Sequence, residues 1–298
     1  MSSKVLSRRN VVLGGMAATS GRLALTKQSR ARLTAAEAIE RIQKMVGIPW
    51  RVKTVDKIVA GRPDMIVGGI ATTMMATLNV LKHAAAAGKN LVITHETPFY
   101  MRQDETGDLA DDATFRFKEK FIREHDLTVF HFHDHWHARR PDGIAVGMMR
   151  ALGWTHNADQ QDIRRFVFPG VPLLRLTKEI QSRLQVRTMR VVGDPKLPIH
   201  RALASWGYVS RMPGIPEFRG KGVDVLIAGE TRECELVEYV QDSIAKGDRK
   251  ALILLGHVVS EEAGMKYCAD WLRSFVPEVP IEFIPTPEPF WGPNERMV

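Results

Sequence analysis

The spacing of apolar and polar residues along the chain predicts short helices and strands in alternation. Between residues 34 and 46 the apolar positions fall on one helical face, and Thr34 with Glu37 forms a capping box at the start. Further helices are predicted at 72–87, 111–125, 144–152, 177–184, 231–245 and 260–275. Strands are predicted at 54–60, 64–70, 91–94, 127–132, 187–192, 202–209, 224–228, 251–255 and 281–284. The segment 211–222, which contains glycine, proline and arginine, is predicted to be a loop.

This alternation predicts an α/β fold in which largely parallel or mixed sheets are flanked by helices. With 298 residues, the chain is long enough to bury a substantial core in one large domain or two smaller ones. The two halves of the chain look alike, because each contains a strand that ends in a turn carrying His and Glu.

The net charge of +8 is concentrated at one end of the chain. Residues 1–36 contain seven basic residues and no acidic ones, which leaves 35 basic against 34 acidic residues and a net charge of +1 for the remainder. A basic surface for nucleic acid is therefore not indicated.

The N-terminal segment resembles a targeting sequence. Ser7, Arg8 and Arg9 are similar to the twin-arginine export signal, and the apolar run that follows is too short to span a bilayer. We expect residues 1–33 to be a leader that directs export to the periplasm; the alternative is a disordered basic N-terminus on a cytoplasmic protein. The two cysteines, Cys234 and Cys268, exclude a disulfide framework.

The run VFHFHDHWHARRPDG, at 129–143, contains four of the ten histidines. In a strand, His131, His133, His135 and His137 would share one face; in a helix, His133 and His137 would lie one turn apart. Neutral imidazole binds zinc, copper, iron and nickel, and it also serves as an acid or base near neutral pH. A polar strand that binds metal only adventitiously is the alternative, and four histidines beside an aspartate favour a metal or catalytic site.

Two further clusters of metal-binding residue types follow predicted strands. His95 and Glu96 come after LVIT, and His257 and Glu261 come after ALILL with a spacing that fits one helical face. Because ligands collect beyond the carboxyl ends of strands in α/β sheets, we expect these clusters and the histidine run to meet in one pocket.

Two other features have two interpretations each. Glu230 is either a base or a carboxylate that orients a metal ligand, or simply an acidic residue near the start of a helix. Trp136, Phe290 and Trp291 either line a pocket or pack in the core or at an interface.

Several of these segments resemble those of a known family. They are NLVITHETPFY, HDHWH with Gly143 after it, VVGDPKLPIHRALASWGYVS, DVLIAGETRECEL and LLGHVVSEEAGM. In this order, over about residues 35–290, the chain resembles the Nif-three-like dinuclear metal-centre proteins, often described as GTP cyclohydrolase I type 2. The Gly-His-x-x-Ser-Glu match, in the last segment, is the most specific.

The resemblance implies an α/β subunit of two lobes, at about 34–155 and 156–298, in a toroidal hexamer. It also implies two divalent metal ions in each subunit, with zinc, manganese and iron as candidates. The predicted ligands are His95, Glu96, His137, His257 and Glu261. Glu96 stands where the family has a second histidine, and His137 stands where it has an aspartate. That last match crosses a one-residue insertion before Gly143, so His133 or Asp134 is an alternative ligand.

The predicted function is that of a metal-dependent hydrolase that uses a metal-activated water. The family's description suggests the C–N bond of a ring or an amide in a small molecule, with His133 and Glu230 as the candidate catalytic residues. The alternative is a non-catalytic oligomer that binds or stores metal or acts as a scaffold. Self-association is expected, whereas nucleic-acid binding and stable membrane insertion are not. The chain has no Walker loop, dinucleotide glycine motif or nucleophile elbow.

Overall fold

The structure is a computed structural model that describes residues 32–292. The twin-arginine motif lies outside the described residues, so export stays a prediction. Within residues 32–292, no helix is long and apolar enough to cross a membrane.

Ten strands and nine α-helices, with a short 3₁₀ helix at Gly107–Leu109 and a π-helical turn at Glu233–Val237, form the regular structure of the described residues. The strands are β1 (Lys57–Ala60), β2 (Ile70–Met75), β3 (Leu91–Glu96), β4 (Thr128–His131), β5 (Arg165–Pro172), β6 (Arg190–Val192), β7 (Pro198–Tyr208), β8 (Val225–Glu230), β9 (Ala251–Leu254) and β10 (Ile281–Phe283). The helices are α1 (Ala35–Met45), α2 (Leu78–Ala86), α3 (Ala113–Glu124), α4 (Asp134–Ala138), α5 (Gly143–Ala151), α6 (Leu173–Leu184), α7 (Arg211–Arg219), α8 (Glu238–Ala245) and α9 (His257–Arg273). The predicted capping box of Thr34 and Glu37 begins α1.

The strands form two mixed five-stranded sheets. The first has the order β1-β4-β3-β2-β10, in which only the edge strand β1 is antiparallel to its neighbour. The second has the order β5-β7-β8-β9-β6, in which both edge strands are antiparallel. The predicted mixed α/β fold is thus confirmed. Strand β10 comes from the end of the chain yet pairs in the first sheet, and the division into two lobes and the hexamer stay predictions.

Helix α9 is the element that joins the two sheets. It packs against β2 and β10 of the first sheet and against β7 and β8 of the second. Helix α9 also packs against α5. The two helices approach closely because each has a glycine at the contact, Gly264 on α9 and Gly147 on α5. A Cβ on Gly264 would lie 2.6 Å from the Cα of Ile144, well inside van der Waals contact. One continuous apolar core, with residues from one face of each sheet, surrounds these helices.

The predicted strand at 64–70 and the predicted start of a helix at residue 72 are wrong. The strand is β2, at Ile70–Met75, and the helix that follows it begins only at Leu78, where Thr77 caps it. Alanine and methionine in this segment favour a helix by propensity. Pairing with β3 on one side and β10 on the other overrides that propensity, because it buries nearly the whole strand.

The second half of the chain shows two further differences. The segment predicted as a loop at 211–222 contains α7, whose Gly214 and Phe218 are buried against the outer face of the second sheet. Strand β5 was not predicted, although Phe166 and Phe168 alternate with exposed residues along it. Its partner is β7, about 35 residues later in the sequence, so local signals alone did not identify it.

The contact between α5 and α9 yields a stability prediction. Gly264→Ala should lower the free energy of unfolding by about 1–3 kcal/mol, because overpacking at Ile144 outweighs the gain in helix propensity of about 1 kcal/mol. Gly107→Ala is the matched control, since a Cβ there meets no atom within 4 Å. Urea denaturation measures both changes, and an unchanged or increased stability of Gly264→Ala would refute the packing argument.

Candidate metal centre

Strands from both sheets end at one place. Strand β3 ends at His95 and Glu96, and β4 leads directly into α4, which carries part of the histidine run. From the second sheet, β8 ends at Glu230, and β9 is followed by α9, whose first residue is His257. The turn with His95 and Glu96, the histidine run and the turn with His257 therefore meet, as predicted.

His95 is fully buried, and its two ring nitrogens have different surroundings. Nδ1 donates to the main-chain oxygen of Phe132 at 3.2 Å, which leaves the lone pair on Nε2. Nε2 has no hydrogen-bond partner among residues 32–292, and it lies 3.6 Å from the Oε2 atom of Glu261. A buried nitrogen lone pair without a donor is the arrangement expected of a metal ligand.

His133 and His137 lie beside His95 in a compact group. His133 precedes α4 and His137 lies one turn later, so that both rings project to the same side. The ring centres are 4.7 Å apart for His95 and His133, 4.9 Å for His95 and His137, and 4.8 Å for His133 and His137. Nδ1 of each is again held by an oxygen, with His133 bound to Asp134 at 3.1 Å and His137 to Asp142 at 3.0 Å.

His257 approaches the same point from the second sheet. Its Nδ1 donates to the Oε1 atom of Glu230 at 3.0 Å. Its Nε2 lies 3.4 Å from Glu96 Oε1 and 3.2 Å from Glu261 Oε2. Glu230 thus orients a candidate ligand, which is one of its two predicted roles.

Two carboxylates, those of Glu96 and Glu261, lie among the four Nε2 atoms. Glu96 Oε1 lies 3.7 Å from Nε2 of His133, and Glu261 Oε1 lies 3.5 Å from Nε2 of His137. The Oε2 atom of Glu261 has no hydrogen-bond partner in the described part of the chain. Gly207 makes this approach possible, because a Cβ there would lie 2.5 Å from Glu261 Oε1.

The charges in the centre depend on one another. Burial acts against ionisation of Glu261, yet the imidazoles of His95, His137 and His257 hold its pKa well below the ordinary value. Likewise, burial is outweighed at Glu96, where the neighbouring imidazoles, that of His257 first, lower the pKa to about 2. Two carboxylates therefore stay ionised in a largely buried site, and they need compensating positive charge.

The histidines differ in their protonation. Burial disfavours the charged form of His257, but its hydrogen bond to Glu230 and the nearby Glu261 raise its pKa to about 12. In the same way, Asp142 and Glu261 outweigh burial and raise the pKa of His137 to about 10. At His133 burial dominates and lowers the pKa to about 4, so that this ring is neutral. A divalent cation would compensate the carboxylates in place of the imidazole protons, which metal binding normally releases.

The donor set fits a divalent metal. Ligand atoms of His95, His133 and His137 lie within 4.8 Å of one another, and so do those of His95, Glu96 and Glu261. Imidazole nitrogen together with carboxylate oxygen suits zinc, iron and manganese. The unpartnered Nε2 of His95 and Oε2 of Glu261 are the two atoms that such an ion would satisfy.

A family model matches most of the chain. Residues 35–289 match the family model described as Duf34/NIF3 (NGG1p interacting factor 3), which is most of the chain. The chain belongs to the Duf34/NIF3 family. The resemblance found in the sequence is thereby confirmed. No curated protein matches the chain.

Solved structures of similar fold include members of this family. A protein named ybgI, of unknown function, has a TM-score of 0.68 and 21% identity, with 87% of this chain and 100% of that chain covered. Protein SA1388 of Staphylococcus aureus has a TM-score of 0.67 and 15% identity, with 89% and 99% covered. A Bacillus cereus protein related to NIF3 has a TM-score of 0.67 and 13% identity, with 87% and 99% covered. These likenesses support the fold.

The other two histidines of the run do not belong to these groups of candidate ligands. His135 is fully buried. Its Nδ1 contacts Asp56 at 2.6 Å, its Nε2 accepts from the main chain of Arg51 at 2.9 Å, and its ring stacks on Trp50. His131, also buried, contacts Asp104 through Nδ1 at 2.7 Å.

Among the predicted pocket walls, Trp136 belongs to the core, where it is fully buried against Phe132 and Trp271. Phe290 and Trp291 are exposed.

Asp56 is a supporting residue that sequence reasoning missed. Its carboxylate accepts from three successive main-chain nitrogens, those of His133, Asp134 and His135, and so caps α4. Because Asp56 precedes these residues by 77 to 79 positions, no local pattern connects them. A lone aspartate before a short apolar segment is too common to identify such a role.

His137 and His135 provide a matched test of which histidine of α4 binds metal. Both are histidines of α4, yet only the ring of His137 points to the candidate ligands. His137→Ala should weaken metal affinity by more than about 100-fold, since loss of a residue that merely supports a ligand costs about 10–100-fold. His135→Ala should retain metal and lower stability. Elemental analysis after dialysis distinguishes the two, and the reverse pattern would show that the assignment is wrong.

Proposed function

We propose that this protein is a metal-dependent hydrolase in which His95, Glu96, His133, His137, His257 and Glu261 hold two divalent metal ions. The observation that supports this most is the convergence of four imidazole Nε2 atoms on the carboxylates of Glu96 and Glu261. The number of ions is taken from the family resemblance, because the two groups of three candidate ligands share His95, whose one free nitrogen binds a single ion. His133 is proposed here as a ligand, because its Nε2 faces Glu96.

Exposure of the ligands favours catalysis over a purely structural or storage site. His95 and Glu261 are closed off, with 0% and 2% of their side chains exposed. On the other side of the cluster, His137 is 27% and His257 18% exposed. Structural metal sites are closed by protein ligands, whereas catalytic sites keep a position open to water or substrate. The open side at His137 and His257 is therefore where we place the substrate.

The proposed reaction is hydrolysis of the C–N bond of a cyclic or open amide. A pair of bound ions would supply an activated water and polarise the carbonyl that it attacks. Glu230 holds His257 in orientation, and its half-exposed carboxylate lies at the open side. Its hydrogen bond with His257 lowers the pKa of Glu230, so the carboxylate is ionised and able to accept a proton from water, but as a weak base.

This proposal predicts turnover that depends on metal and on Glu230. The metal-loaded protein should hydrolyse at least one compound in a panel of cyclic amides, lactones, nucleotides and phosphoesters, and a chelator should abolish the activity. Glu230→Gln should lower the activity by about 10–100-fold, because the neutral amide is a weaker acceptor for His257 than the carboxylate and cannot take a proton from water. Glu233→Gln is the matched control, since that carboxylate is 75% exposed and pairs with Arg190.

A protein that retains its metal and hydrolyses none of these compounds would contradict the proposal. That outcome would favour the alternative of a non-catalytic oligomer that stores metal or acts as a scaffold.

A further inference from the structure

A recess of about 170 Å³ lies beside the metal centre on its His257 side. Five residues supply its apolar surface: Met75, Val258, Val259, Pro289 and Phe290. His257 and Glu230 form the wall that it shares with the centre. We propose that this recess binds a single apolar ring, aromatic or alicyclic, of the compound held at the metal centre. The substrate class that follows, an amide bearing such a ring, rests on the proposed hydrolase function.

The volume of the recess matches one ring. An apolar cavity of about 150 Å³ inside a protein stays dry and binds benzene. The recess is slightly larger, and one side is open. A six-membered ring therefore fits, whereas the recess is too small for a fused system of several rings together with its substituents.

The charged residues around the recess are engaged elsewhere. Glu288 accepts from the main-chain nitrogens of Arg187 at 2.9 Å and Thr188 at 3.0 Å, and from the hydroxyl of Thr188. Glu230 is bound to His257. Neither carboxylate needs a polar partner inside the recess, so its apolar side chains determine what binds there.

The outer wall of the recess is fixed at several points. Arg187 donates to the main-chain oxygens of Glu288 at 2.8 Å and Phe290 at 3.0 Å. Four residues earlier than Phe290, the hydroxyl of Thr286 accepts from the main chain of Met75 at 3.0 Å. These hydrogen bonds hold the backbone at Phe290, whose side chain lines the recess although 63% of the residue is exposed. A preformed wall reduces the entropy lost when a ligand binds.

A second cavity borders the centre at His137 and has a different lining. It measures about 640 Å³, shares His137 with the centre, and is lined by charged and amide side chains such as Arg140, Asp162 and Gln160. An apolar ring in this cavity would displace water from those groups without replacing its hydrogen bonds. The two cavities therefore favour a ligand with its ring toward His257 and its polar part toward His137.

Two hydroxamates test the inference by binding alone. Acetohydroxamate and benzohydroxamate share a metal-binding head and differ in the ring. On the full-length, zinc-loaded protein, calorimetry should give a dissociation constant at least about tenfold lower for benzohydroxamate, from burial of the ring. Val259→Phe, which fills the recess, and Phe290→Ala, which removes its outer wall, should both bring the ratio of the two constants toward one. Phe117→Ala is the matched control, because that residue is 55% exposed on α3 and should leave the ratio unchanged.

Equal affinity of the native protein for the two hydroxamates would overturn the inference. So would a preference for the ring that survives in both Val259→Phe and Phe290→Ala, because the ring would then bind elsewhere. The result is separate from that of the hydrolase assay. A ring preference without turnover leaves the recess supported and the proposed function refuted, whereas turnover without a ring preference does the opposite.

Discussion

The candidate centre depends on one constraint, which is that the Nδ1 atom of each imidazole is committed to a fixed oxygen. A main-chain oxygen fulfils this role for His95, and a carboxylate fulfils it for each of His133, His137 and His257. The other nitrogen of each ring is then free to face the interior. Without these acceptors, the rings could rotate and the carboxylate of Glu261 would be buried without compensation, which is costly in a protein interior.

Elements of both sheets position the candidate ligands and the oxygens that hold them. The first sheet provides His95 and Glu96, and it positions α4 through the cap that Asp56 forms. The second sheet provides Glu230 and, through α9, His257 and Glu261. Because α9 packs against both sheets and closely against α5, a shift of this helix would move two candidate ligands relative to the rest. The geometry of the centre therefore depends on the packing of the core.

Much of this arrangement could be predicted from the sequence, since its signals are local. His95, Glu96 and His257 each follow a short apolar strand, and His257 and Glu261 have helical spacing. The resemblance found in the sequence implied the same residues as ligands. What could not be predicted depends on contacts distant in sequence. Residues 70–75 resemble the start of a helix until the neighbouring strands are known. Nor does the histidine run itself show that His135 stacks on Trp50 while His137 turns to Glu261.

The central claim is that these residues form a centre for two metal ions, and crystals of the zinc-loaded protein would test it most directly. Anomalous diffraction recorded on both sides of the zinc absorption edge locates each ion without assumptions about the ligands. Two peaks are predicted in each chain, with His95, Glu96 and Glu261 among the residues at about 2.0–2.2 Å from the ions. Peaks confined to exposed histidines such as His125, with none beside Glu261, would contradict the account.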